Sequence, residues 1–243
     1  MAVVPLSKSK HSELKLGGFD LSVFSGVPSL PVYFNEIKHV ACDHPLFFNF
    51  NDNVCELRLL CSIGSSSSSA WITDDGKWVG SYVPAFLRHQ PFSAHAIDGG
   101  EEVGIFLDDS SPRLTDGLSP LFENSEPTEL LKKIIASMKQ IYKVGRTTQQ
   151  ALDCIARLNI IQPWEAKIKS RDSEEISITG LQRIDEKALS ELAADQLSEL
   201  NDAHALPLIY GQLFSMRNLD KLVSLQNNKL ASSLGAELGF SLS

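Results

Sequence analysis

The sequence lacks any apolar run approaching the ~18 residues that a membrane-spanning helix requires. Its first ten residues, Met1 to Lys10, also lack the long apolar stretch of a secretory signal. These two absences predict a soluble protein without a transmembrane segment, and the cytoplasm as its location. Export by a non-classical route is compatible with the same sequence, because such routes need leave no recognisable N-terminal mark.

Cysteine is scarce as well, with four residues in a chain of 243. They form no CxxC pair and show no regular spacing, so the pattern predicts reduced thiols rather than a disulfide scaffold. The sequence also contains no GxGxxG, P-loop, HExxH or GxSxG motif. We therefore expect no cofactor and no metal, and the absence of these motifs favours a non-enzymatic role without deciding it.

Positively charged residues are also fewer than negatively charged ones. Lys and Arg number 22 against 30 Asp and Glu, which gives a formal net charge of −8. The basic residues are scattered and form no stripe along any segment. Because nonspecific binding to nucleic acids or anionic lipids depends on clustered positive charge, we expect no nucleic-acid partner.

The residues that are present divide the chain into a strand-rich part, 1–125, and a mainly helical part, 126–243. In the first part, short apolar runs bounded by Pro, Asn or Asp predict strands, for example at 45–50 and 103–107. The sequence Asp-Asp-Gly-Lys at Asp74–Lys77 predicts a tight hairpin turn. The first part is therefore expected to supply most of a β-sheet.

Beyond residue 125 the apolar residues recur with the period of helices. The pattern predicts one helix over 127–144. A second helix is expected to begin at Thr147 or Thr148, because either hydroxyl can serve as an N-cap. Pro163 is expected to end this second helix.

The last third of the chain adds one hairpin and two helices. Alternating apolar and polar residues flank the polar stretch 171–175 and predict the hairpin. One helix is predicted over 186–200 with Asp185 as its N-cap. A final amphipathic helix is predicted over 203–230, where core packing is favoured over docking of a partner. Because the predicted strands come mainly before the predicted helices along the chain, an α+β fold is favoured. The chain 1–243 is predicted to form a single domain.

The segment Asp75–Phe92 reads DGKWVGSYVPAFLRHQPF and resembles the central signature of the SapC family. That bacterial family is named from a surface-array, or S-layer, locus. Further matches at Pro45–Phe48, Gly180-Leu181 and Ile209–Ser215 extend the resemblance over nearly the whole chain. The resemblance implies one SapC-like domain and a role linked to the cell envelope or to nutrient uptake, and it implies no particular reaction.

The signature segment is also the best candidate site. It combines aromatic side chains with cationic or titratable groups on a loop stiffened by two prolines, an arrangement able to hold a peptide or an acidic ligand. The candidate residues for binding a ligand or partner are Trp78, Tyr82, Arg88, His89 and Phe92. A purely structural role for these side chains is the competing interpretation. The family usually has Arg-Arg-Tyr where this chain has Arg-His-Gln, so a binding surface here differs in detail.

Four residues of metal-binding types, His39, Cys42, Asp43 and His44, accompany a short helix predicted at 35–41. Their spacing matches none of the common zinc patterns. Hydrogen-bonded or solvated side chains are therefore the preferred interpretation, and no metal site is predicted.

Three functions are compatible with these observations. The favoured one is a non-enzymatic binding or accessory protein that acts on a protein or peptide partner. The alternative is an enzyme with an unrecognised site around Trp78–Phe92, built from Asp75, Tyr82, Arg88 and His89, which predicts a deep polar pocket. The second alternative is a structural surface-layer component, which predicts self-assembly into sheets.

Overall fold

The computed structural model of the chain describes residues 3–63, 68–97, 100, 102–114, 118–169 and 175–238. The strands are β1 (Val3–Pro5), β2 (Lys15–Leu16), β3 (Ser29–Pro31), β4 (Leu46–Asn51), β5 (Val54–Leu60), β6 (Phe92–Ala96), β7 (Val103–Asp108), β8 (Ser119–Pro120), β9 (Phe122–Glu123), β10 (Glu126–Pro127), β11 (Ile161–Lys169) and β12 (Glu175–Ile184). The α-helices are α1 (Lys8–His11), α2 (Ile37–Asp43), α3 (Ala85–His89), α4 (Glu129–Arg157), α5 (Glu186–Ser190), α6 (Ala194–Asp202), α7 (Leu206–Ser215) and α8 (Leu219–Leu238).

The architecture is α+β, with a strand-rich N-terminal part and a helical C-terminal part, which confirms the predicted fold class. Five strands form an antiparallel sheet in the order β11-β12-β4-β5-β3. A second sheet has the order β1-β7-β6, and short ladders pair β2 with β8 and β9 with β10. Among the described residues, no helix combines the length and the apolar character needed to cross a bilayer.

The chain divides into two compact units. The smaller unit consists of Met1–Asp20 and Ala85–Arg146, and the larger unit of Leu21–Pro84 and Thr147–Ser243. The boundary between Arg146 and Thr147 therefore falls within α4. The prediction that the chain folds as one domain stays a prediction.

The core of the smaller unit lies on the β1-β7-β6 sheet. β6 and β7 pair in register from Phe92 opposite Leu107 to Ala96 opposite Val103. Each large apolar side chain that is buried in this way stabilises the fold by about 1.5–3 kcal/mol relative to an exposed one. The buried residues of this core are Phe92, Leu107, Leu114, Leu121, Leu131 and Met138.

The core of the larger unit forms where α7 contacts β4 and β12, with α2 packed against α7. β4 is the apolar run predicted at 45–50, and its first three residues, Leu46, Phe47 and Phe48, are buried. The turn that joins β4 to β5 places Asp52 and Asn53 at φ values of 47° and 65°. Asp and Asn tolerate this left-handed region better than other non-glycine residues, so the tight hairpin forms here.

The prediction that one helix ends at residue 144 and a second begins at Thr147 or Thr148 is wrong, because α4 continues without interruption through these positions. Thr148 is buried, and its Oγ1 accepts a hydrogen bond of 2.9 Å from the backbone N–H of Phe34. The hydroxyl therefore serves a distant segment and not a helix N-terminus. Pro163 does not end this helix either, since it lies within β11.

The helix predicted over 203–230 is divided into α7 and α8 by the 3₁₀ turn Met216–Asn218. The helix predicted over 186–200 is likewise divided into α5 and α6. Its predicted cap is confirmed, because Oδ1 of Asp185 accepts hydrogen bonds from the second and third backbone N–H groups of α5 at 3.0 and 3.1 Å. Element type was therefore easier to predict than element boundaries.

The two hairpin predictions hold for the strands that the structure describes. β11 and β12 pair antiparallel on either side of the polar stretch, and residues 170–174 between the two strands lie outside the described residues. A bridge between Ile72 and Trp78 closes the predicted turn, in which Gly76 adopts a φ of 72°. Residues 64–67, which include three of the five consecutive serines at positions 65–69, are also outside the described part of the chain.

Candidate functional site

Helix α2 presents the short apolar face that the sequence predicts, with Ile37 and Val40 buried. The last carbonyl groups of a helix have no partner within the helix. Here the side-chain amide of Asn218 donates hydrogen bonds to the carbonyl of Ala41 at 2.8 Å and to that of His44 at 3.4 Å. The 3₁₀ turn after α7 therefore holds the C-terminal end of α2.

Asp43 ties the end of α2 to two other segments. Its Oδ2 accepts hydrogen bonds from the backbone N–H of Ser81, at 2.8 Å, and from the Ser81 hydroxyl. Its Oδ1 accepts a charged hydrogen bond of 3.0 Å from Nζ of Lys221 on α8. The hydrogen bond from the Ser81 hydroxyl, followed by the interaction with Lys221, holds the pKa of the Asp43 carboxyl well below its usual range.

His44 is fully buried between Trp71 and Trp78, with ring-centroid separations of 4.4 and 5.4 Å. Its Nδ1 lies 3.2 Å from the carbonyl of Val40, which can only accept, so Nδ1 carries the proton and Nε2 presents a lone pair. Within the described residues, Nε2 and the indole Nε1 of Trp78 have no hydrogen-bond partner. Both atoms lie within 2.6 Å of the position that a Cβ would take on Gly80, so a larger residue does not fit there.

Two buried polar residues of α7 join the helix to the sheet. Gln212 accepts a hydrogen bond of 3.0 Å from the backbone N–H of Ile184 in β12 and donates one of 3.3 Å to the carbonyl of Leu46 in β4. The Ser215 hydroxyl accepts a 3.0 Å hydrogen bond from the N–H of Leu46 and donates one of 2.6 Å to the carbonyl of Gln212. Both side chains are fully buried, so the network satisfies groups that water cannot reach.

Gly211 brings α7 close to α2. A Cβ at this position would lie only 2.5 Å from Cγ1 of the buried Ile37. The segment 209–215 thus contains a buried isoleucine, a glycine required by close approach, and two residues that bond to the sheet. Its aromatic residues have no such role: Tyr210 is 46% exposed and Phe214 is 68% exposed.

Tyr210 and Phe214 lie one turn apart on α7, and their rings stack with centroids 6.1 Å apart. They form one wall of an apolar groove of about 590 Å³ between α2 and α7. Exposed apolar surface of this kind on a folded protein commonly marks an interaction site. The groove, named here the α2–α7 groove, is lined by Ile37, Lys38, Ala41, Cys42, Pro207, Tyr210, Gly211, Phe214, Arg217 and Asn218.

The five predicted site residues are divided between the two units. Trp78 and Tyr82 belong to the larger unit, where both are half-buried: Trp78 packs on His44, and the Tyr82 ring stacks on His39 at 5.0 Å. Arg88, His89 and Phe92 belong to the smaller unit, with Arg88 exposed, His89 half-buried and Phe92 in the core. Their role in binding stays a prediction.

His89 makes two hydrogen bonds within the smaller unit. Its Nδ1 lies 2.6 Å from the carbonyl of Ala85, and its Nε2 lies 2.8 Å from the hydroxyl of Ser137 on α4. Because a carbonyl only accepts, Nδ1 carries the proton and Nε2 accepts the hydroxyl hydrogen of Ser137. Burial lowers the pKa of His89, with a smaller contribution from the neighbouring Arg88, so the ring is neutral at pH 7.

The four residues of metal-binding types on and after α2 have separate environments. His39 stacks on Tyr82, Asp43 binds Ser81 and Lys221, and His44 is enclosed by tryptophans. Cys42 is exposed in the α2–α7 groove. In the part of the chain that the structure describes, no group of three or more His, Cys, Asp or Glu residues is placed to hold a metal ion.

Sequence reasoning missed the groove, although one signal was present. In the helix predicted over 203–230, the apolar stripe that helical periodicity gives includes Ile209, Leu213 and Met216 but excludes Tyr210 and Phe214. Two aromatic residues four positions apart and off the apolar stripe indicate an aromatic patch on the outer face of a helix. What the sequence could not indicate is that α2 would lie beside this patch.

The fold and this site define an α+β protein with an exposed apolar groove that carries aromatic and cationic side chains. The chain belongs to the SapC family, whose model matches residues 6–222. No curated protein and no solved structure matches the chain.

Proposed function

We propose that this protein is a non-enzymatic binding protein that holds a helical segment of a protein partner in the α2–α7 groove. The observation that supports this function is the exposure of Tyr210 and Phe214 on a helix whose buried residues, Leu208, Ile209, Gln212 and Ser215, lie on another face. Aromatic residues are enriched at protein interfaces, and Tyr is among the residues that most often dominate the free energy of protein association.

The groove favours a helix over an extended peptide as its occupant. Both of its walls are helices, whose backbone groups are already hydrogen-bonded, so it offers no free strand edge for β-augmentation. An amphipathic helix can bind by laying its apolar face into such a groove. Trp78 and Tyr82 support the function indirectly, because their contacts with His44 and His39 hold α2 in place.

The cellular setting of this function is a separate proposal. Envelope-linked or nutrient-uptake biology is implied by the family resemblance, and a cytoplasmic location is proposed with it. A surface-layer role would require self-assembly into sheets, which a sedimentation measurement on the purified protein tests directly.

Affinity capture from cells that naturally produce the protein tests the groove. Phe214→Ala removes the more exposed of the two aromatic side chains in the groove, and Phe50→Ala, at a position 39% exposed on the β4–β5 hairpin, is the matched control. We expect a partner that the wild type and Phe50→Ala recover and that Phe214→Ala loses. With the purified partner, Phe214→Ala should weaken binding about 30-fold, as expected of a central interface residue. Equal recovery by all three proteins would contradict the proposal.

Cys42 provides an independent readout in the same experiment. Of the four cysteines, all of which the structure describes, Cys42 alone is exposed. Burial raises the pKa of the Cys55 and Cys61 thiols to about 12, and burial also raises that of Cys154. An alkylating reagent should therefore modify Cys42 selectively, and a partner seated in the groove should slow this reaction.

One observation favours the enzyme alternative. The hydrogen bond from Ser137 to His89, with the imidazole oriented by the carbonyl of Ala85, has the arrangement of a nucleophile and its general base. The predicted catalytic set is not gathered in one unit, since Asp75 and Tyr82 belong to the larger unit. Covalent labelling of Ser137 by a fluorophosphonate separates this alternative from the binding function.

A further inference from the structure

The two walls of the α2–α7 groove run in the same direction. Ile37, at the start of α2, lies against Gly211 of α7. Asn218, just after α7, reaches the carbonyls of Ala41 and His44 at the end of α2. The groove therefore has a first end near the start of α2 and a second end beyond the C-terminus of α7.

Each end of the groove carries one cation. Lys38 follows Ile37 at the first end, and Arg217 precedes Asn218 at the second. Both side chains belong to exposed residues, and neither forms an ion pair with another described residue. The ten lining residues include no Asp or Glu, although the chain has 30 acidic residues against 22 basic ones. The nearby carboxylate of Asp43 is already bound by Ser81 and Lys221.

We propose that the occupant of the groove is an amphipathic helix of a partner protein. This helix carries acidic residues before and after its apolar stripe, at the two ends of the groove. This inference rests on the proposed binding function and specifies the chemistry of the partner. Carboxylates placed at the two ends meet Lys38 and Arg217, and the guanidinium can bind a carboxylate with two parallel hydrogen bonds. The apolar stripe lies against Tyr210 and Phe214.

The length of the groove sets the length of this helix. Between the two cations the groove runs from Gly211, which lies against Ile37, to Arg217 in the 3₁₀ turn; these six residues, at 1.5–2.0 Å each, span about 9–12 Å, or about two turns. A matching helix needs apolar residues at i, i+3 or i+4, and i+7, with an acidic residue before and after them. Because the whole chain has a net charge of −8, long-range attraction does not bring an acidic partner to it. Recognition depends on the two local cations, which exclude a helix with basic flanks.

Two synthetic helical peptides of about 14 residues test the inference by fluorescence anisotropy. They share one leucine stripe and differ only in its flanks, which are Glu in one peptide and Lys in the other. We expect the wild type to bind the Glu-flanked peptide about tenfold more tightly, with the preference falling at high salt. The double variant Lys38→Glu with Arg217→Glu should prefer the Lys-flanked peptide, and circular dichroism checks that it folds.

Phe214→Ala separates failure of this inference from failure of the groove itself. If that variant weakens binding of both peptides but the charge reversal leaves the preference unchanged, the acidic-partner inference is overturned and the groove stands. If neither peptide binds the wild type, the inference is overturned as well. Binding of phosphatidylglycerol vesicles that requires Phe214, Lys38 and Arg217, without peptide binding, would show that the groove contacts a membrane and not an acidic helix.

Discussion

The buried imidazole of His44 makes the stability of the larger unit dependent on pH. Its surroundings disfavour protonation: burial is the main cause that lowers its pKa to about 4, and Lys221 acts in the same direction. The Val40 carbonyl and Asp43 oppose this with smaller effects. Protonation would also give the imidazole a second N–H, at Nε2, for which the described residues offer no acceptor.

The sign and size of the effect follow from linkage. Between pH 4 and 6.5 the unfolded chain binds a proton at His44 that the folded protein does not, so the free energy of unfolding falls as the pH is lowered. The contribution is complete above about pH 6.5 and lost below about pH 4. At about 1.4 kcal/mol for each pH unit, the loss is about 1.4 kcal/mol by pH 5.5 and about 2.5 kcal/mol by pH 4.5.

Urea unfolding of the wild type and of His44→Gln, followed by tryptophan fluorescence from pH 7.5 to 4.5, measures this contribution. Other groups titrate in the same range, so the informative quantity is the difference between the two proteins. The wild type should lose about 2.5 kcal/mol more than His44→Gln over this range. His39→Gln, at an exposed position on the helix that His44 follows, leaves His44 in place and is the control, so it should keep the contribution of His44. A difference between wild type and His44→Gln that does not change with pH would refute the reasoning.

Two further predictions concern α7 and α4. Gly211→Ala places a methyl group 2.5 Å from the buried Ile37 and should lower the free energy of unfolding by about 1–3 kcal/mol, whereas Gly18→Ala, with no atom within 4 Å of its Cβ, should change it far less. Equal effects in urea unfolding would contradict the close helix contact. Fluorophosphonate labelling, followed by mass spectrometry, should modify Ser137 no faster than Ser93, whose hydroxyl lies 3.0 Å from Nε2 of an exposed histidine. Selective labelling of Ser137 would favour the enzyme alternative.

Several features of the fold could be predicted because they depend on neighbouring residues. The apolar run 45–50 forms β4, Asp185 caps α5, and the Gly76 turn closes a bridge. Periodicity and turn chemistry act within a few residues, so the sequence contains the whole signal. Thr148 shows the limit: its hydroxyl looks like a helix cap locally, but it accepts a hydrogen bond from Phe34.

The candidate site likewise depends partly on local sequence and partly on contacts between distant segments. The sequence by itself determined the α+β class, the resemblance to the SapC family and the aromatic residues at positions 210 and 214. Only the tertiary structure decided that α2 would lie beside them. That contact requires a residue without a Cβ at position 211, next to Ile37, and the hydrogen bond from Asn218 to the carbonyl of Ala41. Such contacts join segments more than 170 residues apart, and their free energy depends on the distance and angle between helices that no local pattern specifies.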